Sequence, residues 1–143
     1  MDQERLSEQE EEKKETAHHE DGAQKLPDAE LETMLAVWNC EPPVTTARIM
    51  RLIDPERSWK TPTLISFLQR LEKRGFLSSE KHGREYVYEA KISRQAYIGE
   101  LTRSFLLKAH GGSLFSFLTS AYGEEGLSGD AVDDLLLFLE RHG

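Results

Sequence analysis

Residues 59–77 read WKTPTLISFLQRLEKRGFL, and after five further residues the chain continues GREYVY at 83–88. Thr61 followed by Pro62 is a helix start, a short polar cap and then a proline at a position where its missing N–H is no loss. Leu64, Phe67, Leu68 and Leu71 recur at i, i+3, i+4 and i+7, which puts them on one apolar face, and Gly75 closes the helix. The opposite side carries Thr63, Ser66, Gln69, Arg70 and Lys73, which is short and hydrogen-bonding rather than the Glu/Lys mixture of a merely solvated face. After Gly75 the period drops to about two, through Phe76–Lys81, then His82-Gly83, then Arg84–Glu89. That pattern predicts a β-hairpin with a basic tip.

Upstream, Leu31, Met34, Leu35 and Trp38 share the same helical spacing behind Pro27 and Asp28, and Glu41-Pro42-Pro43 ends this first helix. Thr45 then offers a cap for a second helix with Ala47, Ile49, Met50 and Ile53 on its apolar side, running to Asp54-Pro55. Downstream, Ser93 caps a long helix reaching about Ala109. Gly111-Gly112 breaks it, a short helix covers about Ser113–Ala121, and Ser128 caps a last one. No internal repeat is present.

Three short helices followed by a hairpin is the order of a winged helix, a helix-turn-helix variant whose third helix enters the DNA major groove while the hairpin lies against the backbone. The fold class read from the sequence is therefore mainly α with a small β-hairpin, a winged helix-turn-helix domain followed by a helical dimerisation element. The third helix has the side chains that base reading needs. Arg70 can bond both acceptors of a guanine, and Thr63 or Ser66 can bond a base edge or meet a thymine methyl. Lys60, Lys73, Lys81 and Arg84 surround them as candidates for phosphate neutralisation.

Charge distribution agrees with this placement, although the formal net charge of −8 argues naively against nucleic acid. The net charge is −5 over residues 1–25, −3 over 26–40, +3 over 41–91 and −3 over 92–143. Within 57–91 there are 8 basic against 4 acidic residues, so positive charge is concentrated on the third helix and hairpin. Residues 1–25 hold a single large aliphatic side chain besides the initiator, Leu6, and are expected to form a disordered acidic tail. His18 and His19 are there read as solvated sequence.

The region after Ser93 is apolar beyond what three short helices need for themselves: Leu101, Phe105, Leu114, Phe115, Phe117, Leu118, Leu135, Leu136, Phe138 and Leu139. These residues call for a partner surface, and a two-fold dimer supplies one while presenting two recognition helices to symmetry-related half-sites. Packing on the chain's own winged helix is the alternative. A winged helix devoted to protein–protein contact would call for an acidic or apolar third helix and an uncharged wing, which the Thr63, Ser66 and Arg70 stripe argues against. Catalysis is not expected, because scattered His82, His110 and His142 with the single Cys40 provide neither a nucleophile with its base nor metal-ligand spacing. No cofactor is expected, and the chain shows neither a signal peptide nor an apolar stretch near the roughly 20 residues of a membrane span, so it is expected to be cytoplasmic.

The run Trp59–Leu77 with GREYVY at 83–88, together with LPDAELETMLAVW at the start and GGSLFSFL and LSGDAVDDLLLFLE near the end, resembles the penicillinase repressor (BlaI/MecI) family. The likeness spans everything after the tail. It implies a homodimer that represses transcription from a palindromic operator, with DNA contacts at Thr61, Thr63, Ser66 and Arg70 and wing contacts near Lys81 and Arg84. Some relatives carry lysine where this chain has Pro62, which implies a different operator. Copper-responsive relatives carry paired cysteines near the carboxyl terminus, which this chain lacks. The resemblance also implies release by proteolysis in the first helix after the wing, by a membrane sensor protease or another protease, at the bond between Ser104 and Phe105. Relatives often have asparagine in place of Ser104. The expected organisation is a tail at 1–25, a winged-helix domain at 26–91 and a dimerisation region at 92–143.

Overall fold

The computed structural model describes residues 25–143. The tail read over 1–25, with Leu6, His18 and His19, lies outside the described residues apart from Lys25, which is exposed. The elements in order are α1 (Asp28–Asn39), α2 (Thr46–Leu52), a 3₁₀ turn (Pro55–Arg57), α3 (Thr61–Lys73), β1 (Leu77–His82), β2 (Glu85–Ala90), α4 (Arg94–His110), α5 (Leu114–Tyr122), a 3₁₀ turn (Gly123–Glu125) and α6 (Gly129–His142). This is the mainly helical, single-hairpin architecture the periodicity predicted. The chain divides into two compact units after Leu101.

The first unit is a three-helix cluster closed by the hairpin. Its core is Met34, Ile49, Leu64, Leu68, Leu71, Phe76 and Tyr97, all fully buried, with Val37, Val44, Ile53, Leu77 and Tyr88 around them. Burial of this apolar surface stabilises the unit by about 25 cal/mol per Å² removed from water. Helix α3 follows its predicted face at Leu64, Leu68 and Leu71, but Phe67 is only half-buried. Helix α1 is rotated from the predicted stripe: its buried residues are Glu30, Thr33, Met34, Ala36 and Val37, with Leu31, Leu35 and Trp38 half-buried. Periodicity counts only apolar positions, whereas here two polar side chains are buried because each has a partner. Thr33 Oγ1 donates to the Ala29 carbonyl at 2.8 Å, and Arg74 Nε donates to Glu30 Oε1 at 2.8 Å.

Helix α2 is capped as expected, Thr45 Oγ1 accepting from the Arg48 backbone N–H. Ala47, read on its apolar side, is exposed. Helix α3 starts one residue earlier than its predicted cap: Lys60 is the N-cap and makes no side-chain cap, Thr61 is the first helical residue, and Pro62 falls in the first turn. Gly75 closes α3 with φ +83°, a left-handed conformation that glycine adopts without steric penalty.

The two strands pair antiparallel from Leu77↔Ala90 to His82↔Glu85, leaving Gly83-Arg84 as a two-residue turn. Gly83 has φ +66° and Arg84 does not, the pattern of a II′ hairpin turn. A third pairing, at the wing's base, leaves no mark in the periodicity. Thr45 bridges Val87, and the Tyr88 N–H donates to the Val44 carbonyl at 2.9 Å, tying the wing to the start of α2.

The first turns of α4 belong to this unit. Ser93 caps α4 by accepting from the Ala96 N–H, as predicted. Tyr97 is fully buried, stacks edge-on against Phe76 at 5.4 Å, and accepts the Leu26 N–H on its hydroxyl at 2.8 Å. Trp38 Nε1 donates to the Ile92 carbonyl at 2.9 Å. Leu101, read from the sequence as part of an inter-chain surface, is half-buried against the same core.

The second unit, from Thr102, contains the rest of α4 with α5 and α6. Gly111 and Gly112 break α4 with φ +58° and +81°, and Ser113 and Ser128 cap α5 and α6 through the N–H groups of Ser116 and Ala131. Around the break, the His110 ring lies between Phe105 at 5.5 Å and Phe117 at 5.6 Å. No large apolar side chain of this unit is fully buried.

Candidate nucleic-acid interface

Because Leu64, Leu68 and Leu71 fix one side of α3 in the core, the helix must present the other side outward. Thr61, Thr63, Gln69, Arg70 and Lys73 are exposed and Ser66 is half-buried. Lys60 stands exposed at its amino end. The residues from Lys60 to Lys73 thus form one polar stripe, about 20 Å long at 1.5 Å per residue. That matches the stripe expected from the sequence.

Glu72 departs from the stripe's chemistry, and it lines one concavity with Ser66, Gln69, Arg70 and Lys73. Its Oε1 is buried without a hydrogen-bond partner among the described residues. Glu72 also acts on the phenol of Tyr88, at the base of the wing. Burial first, and then the neighbouring Glu72 and Tyr86, push the Tyr88 phenol above its usual range, against a lowering hydrogen bond with Thr46.

Helix α3 runs into the wing through Arg74-Gly75-Phe76, so the second part of the site follows directly from the first. Lys81 and Arg84 are exposed on the hairpin, Arg84 in its turn, and Tyr86 is exposed opposite Lys81. Counting charges could not separate the basic residues by role, but their partners do. Arg74 is held by the buried Glu30, and Arg57 forms a two-pronged pair with Glu32. Lys60, Arg70, Lys73, Lys81 and Arg84 form no ion pair among the described residues. These five leave a cationic surface over helix and wing, with hydroxyls at Thr61, Thr63 and Ser66 between them. That arrangement suits neutralisation of phosphates combined with hydrogen bonding to base edges.

Sequence reasoning overlooked two aromatic residues here. Trp59 and Phe67 have ring centroids 4.9 Å apart, Trp59 lies under the Arg57 guanidinium, and the Arg70 guanidinium stands over Phe67. Periodicity assigned Phe67 to the core and gave Trp59 no role, because nothing in the spacing shows that the loop before α3 folds back on the helix.

Among the described residues no group of His, Cys, Asp and Glu is placed to hold a metal, and no helix is long and apolar enough to cross a membrane. The penicillinase repressor family model matches residues 26–141. The chain is 32% identical over 117 residues to the penicillinase repressor of Bacillus licheniformis, covering 82% of this chain and 91% of that protein. It is 23% identical over 113 residues to the methicillin resistance regulatory protein MecI of Staphylococcus aureus, covering 79% and 91%. A solution structure of the DNA binding domain of the repressor BlaI is 32% identical, covers 51% of this chain and 88% of that one, and superposes with a TM-score of 0.44. With a family model matched across both units and nearly all of a relative's length aligned, the chain belongs to the penicillinase repressor family.

Proposed function

We propose that the protein is a homodimeric, sequence-specific DNA-binding repressor. In this reading α3 reads base edges in the major groove through Thr61, Thr63, Ser66 and Arg70. Lys60 and Lys73 meet phosphates at its two ends, and Lys81 and Arg84 meet them from the wing. The observation that carries the reading is the outward face of α3: an arginine with no ion pair among the described residues and three hydroxyls in a stripe bounded by lysines. Arg70 is the side chain best suited to specificity, since its fork matches the two acceptors of guanine.

Residues 26–91 supply DNA binding and 92–143 supply dimerisation, with the first turns of α4 anchoring one to the other. Dimerisation is supported by the apolar surface of the second unit, where Phe105, Leu114, Phe115, Leu136 and Leu139 are exposed and Phe117, Leu118 and Leu135 half-buried in a single chain. Repression ends by cleavage between Ser104 and Phe105, carried out by a membrane sensor protease or another protease. The bond lies inside α4, just past the division after Leu101. Cutting there parts the winged helix from α5 and α6.

The test is selection of duplexes from a random pool by the full-length protein, followed by gel-shift titration of the selected duplex against a scrambled one. A recovered palindrome, bound far more tightly than the scrambled duplex, is the expected outcome. Equal affinity for both would reduce the protein to a non-specific polycation and overturn the reading.

A further inference from the structure

Five side chains make a continuous ladder from α1 to the outward face of α3. Arg57 donates through Nε and its terminal nitrogen to the two carboxylate oxygens of Glu32. The same guanidinium stands 5.7 Å from the Trp59 ring centroid, Trp59 lies 4.9 Å from Phe67, and the Arg70 guanidinium stands 5.9 Å from the Phe67 centroid. Both cation–ring distances fall within the range where the ring's quadrupole attracts a guanidinium. We propose that the Glu32–Arg57–Trp59–Phe67 ladder is a positioning device that holds Arg70 ready for base reading, so that Phe67 and Trp59 set sequence specificity without touching a base.

The local geometry explains how. Phe67 and Arg70 are three apart on α3, hence neighbours on its surface, and helical side chains lean toward the amino end, which carries Arg70 back over Phe67. Ser58, at φ 54°, is the one non-glycine residue with positive φ among the described residues. It turns the chain so that Trp59 comes back against the helix instead of continuing away from it. Trp59 also lies under the Arg57 guanidinium, and the fork of Arg57 is fixed in turn by both oxygens of Glu32. A half-buried phenylalanine flanked on one side only would be free to change rotamer; here it is braced.

The functional consequence follows from side-chain entropy. An arginine loses much rotamer freedom when both ends of its fork are engaged, and a guanidinium already held over a ring loses less on binding. Preorganisation of this kind acts on the duplex that uses the fork fully and little on one that offers only phosphates. Phe67 therefore discriminates between DNA sequences through Arg70.

This inference rests on Arg70 as a base reader, and a double-mutant cycle separates the two ideas. The probes are the duplex selected by the wild-type protein and its scrambled counterpart, titrated against full-length Phe67→Leu, Phe67→Tyr, Arg70→Ala and Phe67→Leu/Arg70→Ala. Phe67→Leu is expected to weaken the selected duplex about 3- to 10-fold and to leave the scrambled one unchanged, an effect of the size of ordinary contact coupling. The loss should vanish in the Arg70→Ala background, and Phe67→Tyr, which keeps the ring, should behave as wild type. Glu32→Gln, at the half-buried far end of the ladder, should give a smaller loss of the same kind without touching α3's packing. An equal loss with and without Arg70, or on both duplexes, would make Phe67 a packing residue and overturn the positioning role. If Arg70→Ala itself leaves discrimination intact, Arg70 is no base reader, and both ideas fall together in a way that failure of the ladder alone does not produce.

Discussion

Arg70 and Arg74 stand four residues apart at the end of α3, and their environments assign them opposite roles. Arg74 reaches under the helix to Glu30, whose side chain is only 2% exposed, while Arg70 lies outside over Phe67. Removing Arg74 leaves a carboxylate uncompensated in the core, and breaking such a pair typically costs about 3–5 kcal/mol. Arg74→Ala should therefore lower the urea midpoint strongly, read by circular dichroism, and weaken selected and scrambled duplexes in parallel as the fold fails. Arg70→Ala should do the reverse, leaving the midpoint near wild type and weakening the selected duplex by roughly 1–3 kcal/mol in a gel shift, with the scrambled duplex nearly unaffected. The sequence made both arginines equal members of a basic stretch. Only the burial of Glu30, on a face of α1 rotated away from the predicted stripe of Leu31, Leu35 and Trp38, tells them apart.

The helices and the hairpin were legible because each carries its own local signal: Pro62 and Gly75 bracket α3, Ser93 and Ser128 cap α4 and α6, Gly111-Gly112 sets α5 apart from α4, and Gly83 sets the turn of the wing. What could not be read locally depends on chain returning from a distance. The Thr45–Val87 bridge is one residue pair, too short for a period of two to announce. The burial of Tyr97 against Phe76 and Leu26 likewise makes two turns of α4 part of the first unit, where composition placed the change at residue 92. The wing itself yields a prediction at this scale. Its exposed cations are Lys81 and Arg84, set on a two-stranded hairpin with no core of its own at the tip. Each phosphate neutralised releases close to one counterion, so the slope of log affinity against log salt is proportional to the number of such contacts. Lys81→Ala and Arg84→Ala should each flatten that slope by about 1, on selected and scrambled duplexes alike, in titrations between low and moderate salt. A slope unchanged in both variants would take the wing off the DNA backbone.

At the scale of the whole molecule the decisive quantity under the proposed function is how two copies share one operator. In a single chain Phe115 is 82% exposed, and Phe105, Leu114, Leu136, Phe138 and Leu139 are each more than half exposed. Apolar exposure on this scale is typical of an interaction surface, and the proposed two-fold dimer gives it a self-complementary use. Linking two winged helices makes the second half-site encounter intramolecular, at an effective concentration of about millimolar, so avidity can exceed the affinity of one domain by roughly 10²- to 10⁴-fold. Leu136→Asp with Phe138→Asp in the full chain should sediment as a monomer at micromolar concentration. It should bind a duplex carrying one half-site as wild type does, yet lose the advantage of the palindrome. A double variant that remains dimeric would move the interface off α6. On the proposed cleavage, the same arithmetic makes one broken bond sufficient for induction. Cleavage between Ser104 and Phe105 leaves Tyr97 and the core of the first unit intact, so the winged helix stays folded but single, and occupancy falls with the avidity. Because the bond lies within α4, its backbone must open locally before a protease can take it, and cutting should be slow with general proteases and fast only with a dedicated one. Mass spectrometry of protein recovered from induced cells should then show fragments ending between about Leu101 and Leu107. Intact protein that has left its operator would replace cleavage with a bound effector.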